Sequence, residues 1–233
     1  MPVLYLIPTT LGDNNFNRVL PEYTLDVVRT VKHLIVENVR TARRYIKAVD
    51  RSIDIDGLTF YTLNRHTVPE QIMTYLKPLA EGHDMGVISE AGCPAIADPG
   101  ADVVAIAQQK GYTVVPLVGP SSILLALMAS GFNGQSFAFN GYLPIDAVQR
   151  QHAIRHYESR ARSERQSQIF IETPYRNNAL REVLLNTLAP QTRLAIATDI
   201  TLPTESIKAQ TVQQWRKTQL ADINHHPSIF IIY

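Results

Sequence analysis

Residues 86–100, Gly-Val-Ile-Ser-Glu-Ala-Gly-Cys-Pro-Ala-Ile-Ala-Asp-Pro-Gly, constrain the fold more than any other stretch. They start as a short apolar strand and then enter a loop spaced by glycine and proline instead of passing directly into a helix. Gly92 and Gly100 permit backbone angles or close approaches that a Cβ resists, while Pro94 and Pro99 fix φ and need no amide partner. A loop of this make-up is built to line something. A second one follows: an apolar strand over 114–118, the turn Gly119-Pro120-Ser121-Ser122, and a helix-like run over 123–129. The reading places both loops on neighbouring strands at one sheet edge.

Short apolar runs alternate with helical periodicity through the first half, which is α/β grammar. Strands are predicted near 3–7, 34–37, 58–63, 85–89 and 113–118, and helices near 22–32, 40–50, 69–81, 99–110 and 121–130. Asp98 is expected to N-cap a helix with Pro99 at its first position, Gly111 to follow that helix, Ser121 to cap the next and Gly131 to end it. Helical crossovers favour a parallel sheet. After Gly134 aromatic strands appear at 136–139, 168–171 and 228–232, with others at 193–197 and 204–209, so a second α/β unit is expected. The boundary is placed in the stiff segment 116–120, giving domains 1–117 and 118–233 with a cleft between them, where strand ends of open sheets present ligand sites.

Composition narrows the function. The 233 residues fit one to two compact units, and 45% hydrophobic content supports a core. With no run of eighteen apolar residues and no charged-then-apolar leader, the expectation is a soluble, cytoplasmic protein without a membrane partner. The single cysteine, Cys93, excludes an internal disulfide framework and a multi-cysteine metal site. No motif pairs Cys93 with a base, so a packing role is favoured over a nucleophilic one. His152 and His156 share a helical face but lack a third ligand, and His225-His226-Pro227 reads as turn chemistry, so no metal is expected. No Gly-x-Gly-x-x-Gly follows the first strand and no Gly-Lys-Ser/Thr occurs, which argues against dinucleotide folds and P-loops.

A net charge of +1 leaves only local patches for nucleic acid. Arg40, Arg43, Arg44, Lys47 and Arg51 recur at helical spacing with only Asp50 opposing them; the ordinary reading is a solvated face, the alternative a track for RNA phosphates. A second set, Arg150, Arg155, Arg160, Arg162 and Arg165, is diluted by Glu158 and Glu164. Glu37, Glu172 and Asp199 each close an apolar strand, where a buried polar group needs a task or a partner.

Six segments in order resemble the tetrapyrrole methylase family of S-adenosylmethionine-dependent methyltransferases, and within it the branch acting on small-subunit ribosomal RNA. Residues 4–13 resemble its opening strand and Pro-Thr-Pro-x-Gly-Asn loop, and Glu37-Asn38-Val39-Arg40-Thr41 its Glu-Asp-Thr-Arg. The loop after residue 89 resembles Asp-Ala-Gly-Thr-Pro-x-Ile-Ser-Asp-Pro-Gly, and Gly119-Pro120-Ser121 resembles Gly-Pro-Ser. Phe139-Asn140-Gly141-Tyr142-Leu143-Pro144 and Glu172-Thr173-Pro174-Tyr175-Arg176 resemble Phe-x-Gly-Phe-Leu-Pro and Glu-Ser-Pro-His-Arg.

The resemblance implies a mostly parallel N-terminal sheet, a mixed C-terminal sheet, and S-adenosylmethionine held between two domains. It assigns cofactor contacts to Pro8, Glu90, Cys93, Ser121, Ser122, Thr173, Thr198 and Pro227, although Ser121 and Ser122 also read as ordinary helix caps. On the acceptor side, the need of strand-closing carboxylates for a task selects Glu37 and Arg40, with Glu172 and Arg176 from the other half; interdomain ion pairs are the competing reading. Methylation of ribosomal RNA at a ribose 2′-hydroxyl is preferred over a porphyrin or corrin acceptor and over an inactive RNA-binding assembly module. The resemblance also implies a homodimer, with the apolar C-terminal strand as a participant. Asn38, Glu90 and Asp199-Ile200-Thr201-Leu202 depart from the pattern of the branch, the last replacing an Arg-Glu-Leu-Thr-Lys-like run.

Overall fold

Five apolar runs of the first half become the strands β1 (Val3–Ile7), β2 (His33–Val36), β3 (Thr59–Thr62), β4 (Met85–Ile88) and β5 (Thr113–Pro116). In the computed structural model, which describes residues 2–12, 15–63 and 67–233, they form one parallel sheet in the order β3-β2-β4-β1-β5. Asp13, the last residue of the opening motif, lies outside the described residues. Helices carry the returns: α1 (Phe16–Val19), α2 (Glu22–Thr30), α3 (Val39–Val49), α4 (Pro69–Tyr75), α5 (Lys77–Ala80) and α6 (Gly100–Gln109). The near-continuous apolar runs of β2 and β4 follow from burial on both faces, while the edge strands β3 and β5 are exposed at their ends. Ile7, Leu34 and Val36 pack with Val28 and Ile46 on one side, and Leu4, Ile35, Met85 and Val87 with Ile72, Leu76 and Val103 on the other.

Several expectations need correcting. The strands bearing the two Gly/Pro loops, β4 and β5, are not neighbours, because β1 lies between them. Their parallel direction still brings all three loops to one edge. The helix predicted over 69–81 breaks at Leu76, because Pro78 has no amide to continue the ladder. Helix α6 starts at Gly100 with Pro99 at the N-cap. Asp98 acts from one residue earlier than expected, its Oδ1 accepting the amides of Gly100 at 2.6 Å and Ala95 at 3.2 Å. Gly111 and Gly131 do follow their helices, both at left-handed φ.

Contacts divide the chain into Met1–Ser121 and Ser122–Tyr233. The second unit comprises α7 (Ser122–Ser130), β6 (Phe137–Tyr142), α8 (Ala147–Glu164), β7 (Ser167–Ile171), a 3-10 turn (Pro174–Arg176), α9 (Asn177–Thr187), β8 (Arg193–Thr198), β9 (Ser206–Thr211), α10 (Val212–Trp215) and β10 (Ser228–Ile232). Its sheet runs β6-β7-β10-β8-β9, with β6 parallel to β7 and the other pairs antiparallel. Phe170, Phe230, Leu184, Leu194 and Val212 fill the core beneath α8, α9 and α10. Because β10 is central and buried throughout, it is not available as the dimer surface expected from the sequence.

Candidate cofactor and acceptor site

In the first unit three strand-end loops are knitted together by small groups. The Thr9 amide donates to Gly92 O at 3.0 Å, and Ser89 Oγ donates to the same carbonyl at 2.5 Å. Cys93 Sγ lies 3.5 Å from Pro120 O. Burial raises the Cys93 pKa, so its thiol stays neutral and acts as a packing group and weak donor. Gly119 comes so close to the first loop that a Cβ there would lie 2.3 Å from Pro8 Cγ. Ala95 and Ala97 adopt φ of 65° and 56°, strained for residues with a Cβ, in the loop that Asp98 braces. The rim thus consists of carbonyls, amides and small hydroxyls around Pro8, Glu90, Cys93 and Ser121, the groups an adenosine moiety needs.

Where β1, β2 and β4 end, Thr9, Thr41, Arg44, Tyr45 and Glu90 line a pocket of about 420 Å³. Asn38 builds one wall by capping α3: its Oδ1 accepts the Arg40 amide at 2.9 Å and the Thr41 amide at 3.4 Å, a cap contributing about 1 kcal/mol. The replacement of aspartate at this position therefore keeps its structural role. Glu90 Oε1 accepts from Thr41 Oγ1 at 2.7 Å, which ties the second loop to α3. Tyr45 donates to Pro8 O at 3.0 Å, and burial raises its pKa so that it remains a donor.

The basic stripe is narrower than predicted. Arg40, Arg43, Arg44 and Lys47 are exposed on α3, but Arg51 lies beyond its end at Val49. Arg43 sits 5.5 Å over the Phe60 ring, and Lys47 donates to the carbonyls of Arg51 and Ile53. Asp50 binds Ser52, lies 3.7 Å from Arg29 and feels the charge of Lys47 as well.

The second unit has its own row of loops at the ends of β7 and β8 and the start of β10. Glu172 Oε1 accepts from the Thr173 amide at 2.6 Å, Thr173 Oγ1 at 3.0 Å and Arg176 at 2.7 Å. The competing reading of an interdomain ion pair is thereby corrected for Glu172 and Arg176, which pair with each other inside one turn. Burial pushes the Glu172 pKa up, but these bonds outweigh it and hold the carboxyl below its usual range. Thr198 Oγ1 and Ser228 Oγ are 3.0 Å apart, and the Asp199 amide donates to Pro227 O.

A pair that sequence reasoning missed stands beside them. Buried Asp199 accepts through Oδ2 from Thr204 Oγ1 and from His226 Nδ1, each at 2.7 Å. Asp199, Thr201 and His225 all have left-handed φ, so strain is concentrated around the pair. The pair follows from the antiparallel pairing of β8 with β10, which sets residues just past 198 opposite those just before 228.

The profile of the Tetrapyrrole (Corrin/Porphyrin) Methylases matches residues 22–215. The chain belongs to this family. Its members are methyltransferases with S-adenosylmethionine as methyl donor, so the methyl donor of this tetrapyrrole methylase is S-adenosylmethionine. It is 29% identical over 213 residues to the ribosomal RNA small subunit methyltransferase I of Vibrio cholerae serotype O1, covering 91% of this chain and 70% of the relative. The proteins of the same name from Halalkalibacterium halodurans and Streptococcus pyogenes serotype M3 are 30% and 33% identical over 186 and 192 residues, covering 78% and 80% of this chain. The chain spans only 59% and 60% of those two relatives. The crystal structure of the methyltransferase CobJ shares the fold, with a TM-score of 0.64 at 16% identity over 100% of this chain and 94% of that one.

Proposed function

We propose that this chain methylates ribosomal RNA of the small subunit at a ribose 2′-hydroxyl. The observation that carries the reading is the pocket at the β1, β2 and β4 ends, lined by Arg44 and Glu90 beside the exposed Arg40 and Arg43 of α3. Guanidinium groups at such a mouth match phosphodiester oxygens. Pro8, Glu90, Cys93 and Ser121 of the first unit hold the cofactor in this proposal. The cofactor, when bound, supplies an activated methyl group. Little covalent chemistry is left to the protein, whose task is to align the acceptor and exclude water. Arg40, Arg43 and Arg44 bind the RNA backbone, and the Glu37 carboxylate takes the hydroxyl proton as the new bond forms. Glu172 and Arg176 keep the β7 turn in shape.

Among the described residues no helix is long and apolar enough to cross a membrane. We place the enzyme in the cytoplasm as a homodimer joined through exposed apolar residues such as Met128, Ile145 and Val148 of the second unit. Light scattering that finds a monomer at micromolar concentration removes the dimer.

The deciding experiment compares methylated nucleosides in ribosomal RNA from cells with and without the protein, then adds purified enzyme and labelled donor to the unmethylated subunit. One 2′-O-methyl nucleoside is expected to vanish in the first arm and return in the second. Glu37→Gln is expected to lower the transfer rate about 100-fold while leaving affinity for S-adenosylhomocysteine unchanged. Unchanged nucleosides in both arms overturn the RNA reading.

A further inference from the structure

We propose that Arg162, Arg165 and Arg193 form a second RNA-contact site that grips backbone phosphates, at the opposite end of the second unit's sheet from Thr173 and Thr198. The proposal rests on the RNA reading above and extends it to a different part of the molecule. These three arginines bound a pocket of about 490 Å³ together with Glu158, Thr192 and Tyr233. Arg193 opens β8, and its backbone exchanges two hydrogen bonds of 3.0 Å with Tyr233 just past the end of β10. The pocket therefore lies where β8 begins and β10 ends, whereas Thr198 and Pro227 stand at the other ends of the same strands.

In the sequence, Glu158 and Glu164 dilute this basic cluster; in the fold Glu164 pairs with Arg160, while Glu158 lines the pocket with its carboxylate bonded to neutral donors. Arg160 binds Glu164 through two nitrogens, at 3.0 and 3.1 Å. Glu158 turns onto the Ala189 amide at 2.8 Å and the Thr192 hydroxyl. Among the described residues no carboxylate forms an ion pair with Arg162, Arg165 or Arg193. Three exposed cations thus line one pocket in which the Glu158 side chain is already bonded to neutral donors.

Two features hold the arginines in place. The Arg193 guanidinium lies 4.4 Å over the Phe132 ring, which is itself stacked on Tyr233 at 5.7 Å. Arg165 ends α8 in the left-handed region at φ 50°, a position that glycine or asparagine occupies with less strain. Its carbonyl accepts from Asn133 Nδ2 at 2.6 Å, which fixes the turn from which the side chain leaves. A planar fork of N–H donors matches phosphate oxygens, and several forks on one pocket match consecutive phosphates of a nucleic-acid strand.

The test measures anisotropy of labelled single-stranded and hairpin RNA from about 50 to 200 mM salt for the wild type, the triple variant Arg162→Gln/Arg165→Gln/Arg193→Gln, and Arg165→Gly. The triple variant is expected to bind about tenfold more weakly at the lower salt, with a log–log salt slope reduced by about 2 and unchanged affinity for S-adenosylhomocysteine. Arg165→Gly relieves the left-handed strain, so it is expected to melt no lower than the wild type yet bind RNA about twofold to threefold more weakly. Equal affinity and slope for the triple variant overturn this site while wild-type methylation of RNA leaves the acceptor reading standing. Arg165→Gly that binds as the wild type removes Arg165 from the site. A wild type that neither binds nor methylates RNA overturns both proposals.

Discussion

In the first unit, the loops after β1, β4 and β5 are held by the Gly92 carbonyl, the Ser89 hydroxyl and the approach of Gly119 to Pro8, whereas in the second unit the turn after β7 hangs on one carboxylate oxygen of Glu172. The first arrangement is steric and made largely of backbone; the second is electrostatic and made of side chains. The difference predicts opposite vulnerabilities. Loops packed backbone to backbone tolerate a change of charge but not an added carbon. A turn organised by a charged side chain tolerates volume but responds to protonation.

The largest effect that sharpens this contrast is expected from Gly119→Val. Its Cβ would meet the Pro8 ring at 2.3–2.4 Å, and neither the ring nor the backbone has slack. A loss of about 3 kcal/mol in urea unfolding is expected, together with loss of S-adenosylhomocysteine binding by calorimetry. Wild-type binding by this variant would break the steric account of the first unit. Asp98→Ala comes next. It strips the acceptor from the Ala95 and Gly100 amides and leaves two left-handed alanines unbraced, at about 2 kcal/mol. Asp98→Asn, which keeps an acceptor oxygen, should lose less.

The test of the second unit is Glu172→Gln followed across pH. The folded-state pKa of Glu172 is depressed, so its stabilisation is full above the unfolded value of about 4.5 and is lost as pH falls through the folded value. The stability advantage of the wild type over the variant, present near pH 7, should therefore shrink below about pH 4.5. A constant gap from pH 7 to 3 would mean that Thr173 and Arg176 do not hold the carboxylate charged. The smallest effect is Arg43→Ala, which removes an exposed guanidinium from the face of Phe60 and should cost about 0.5 kcal/mol with no change in cofactor affinity.

Much of this was legible residue by residue. Alternating apolar runs announced the strands, Gly111 and Gly131 marked helix ends, and the Gly/Pro loops marked the edge where the first unit's site lies. What failed was the assignment of partners to polar side chains. Asn38 looked like a departure from a motif, yet its amide oxygen caps α3 as a carboxylate would. Glu172 looked like half of a long-range contact, yet its partner is four residues away. Arg162 and Arg165 looked diluted, because a count of charges cannot tell that Glu158 faces Thr192 and Ala189.

The order of residues alone determined the α/β class, the crossover connections and the family, because hydrophobic periodicity and turn chemistry act over a few residues and the motifs are contiguous. Tertiary structure alone decided that β1 separates β4 from β5, that Asp199 meets His226, and that three arginines drawn from α8 and β8 converge on one pocket. Those outcomes depend on sheet order and on hydrogen bonds between residues some thirty positions apart. No local pattern encodes them, because the partner of a polar group is chosen by what the packed core leaves within reach.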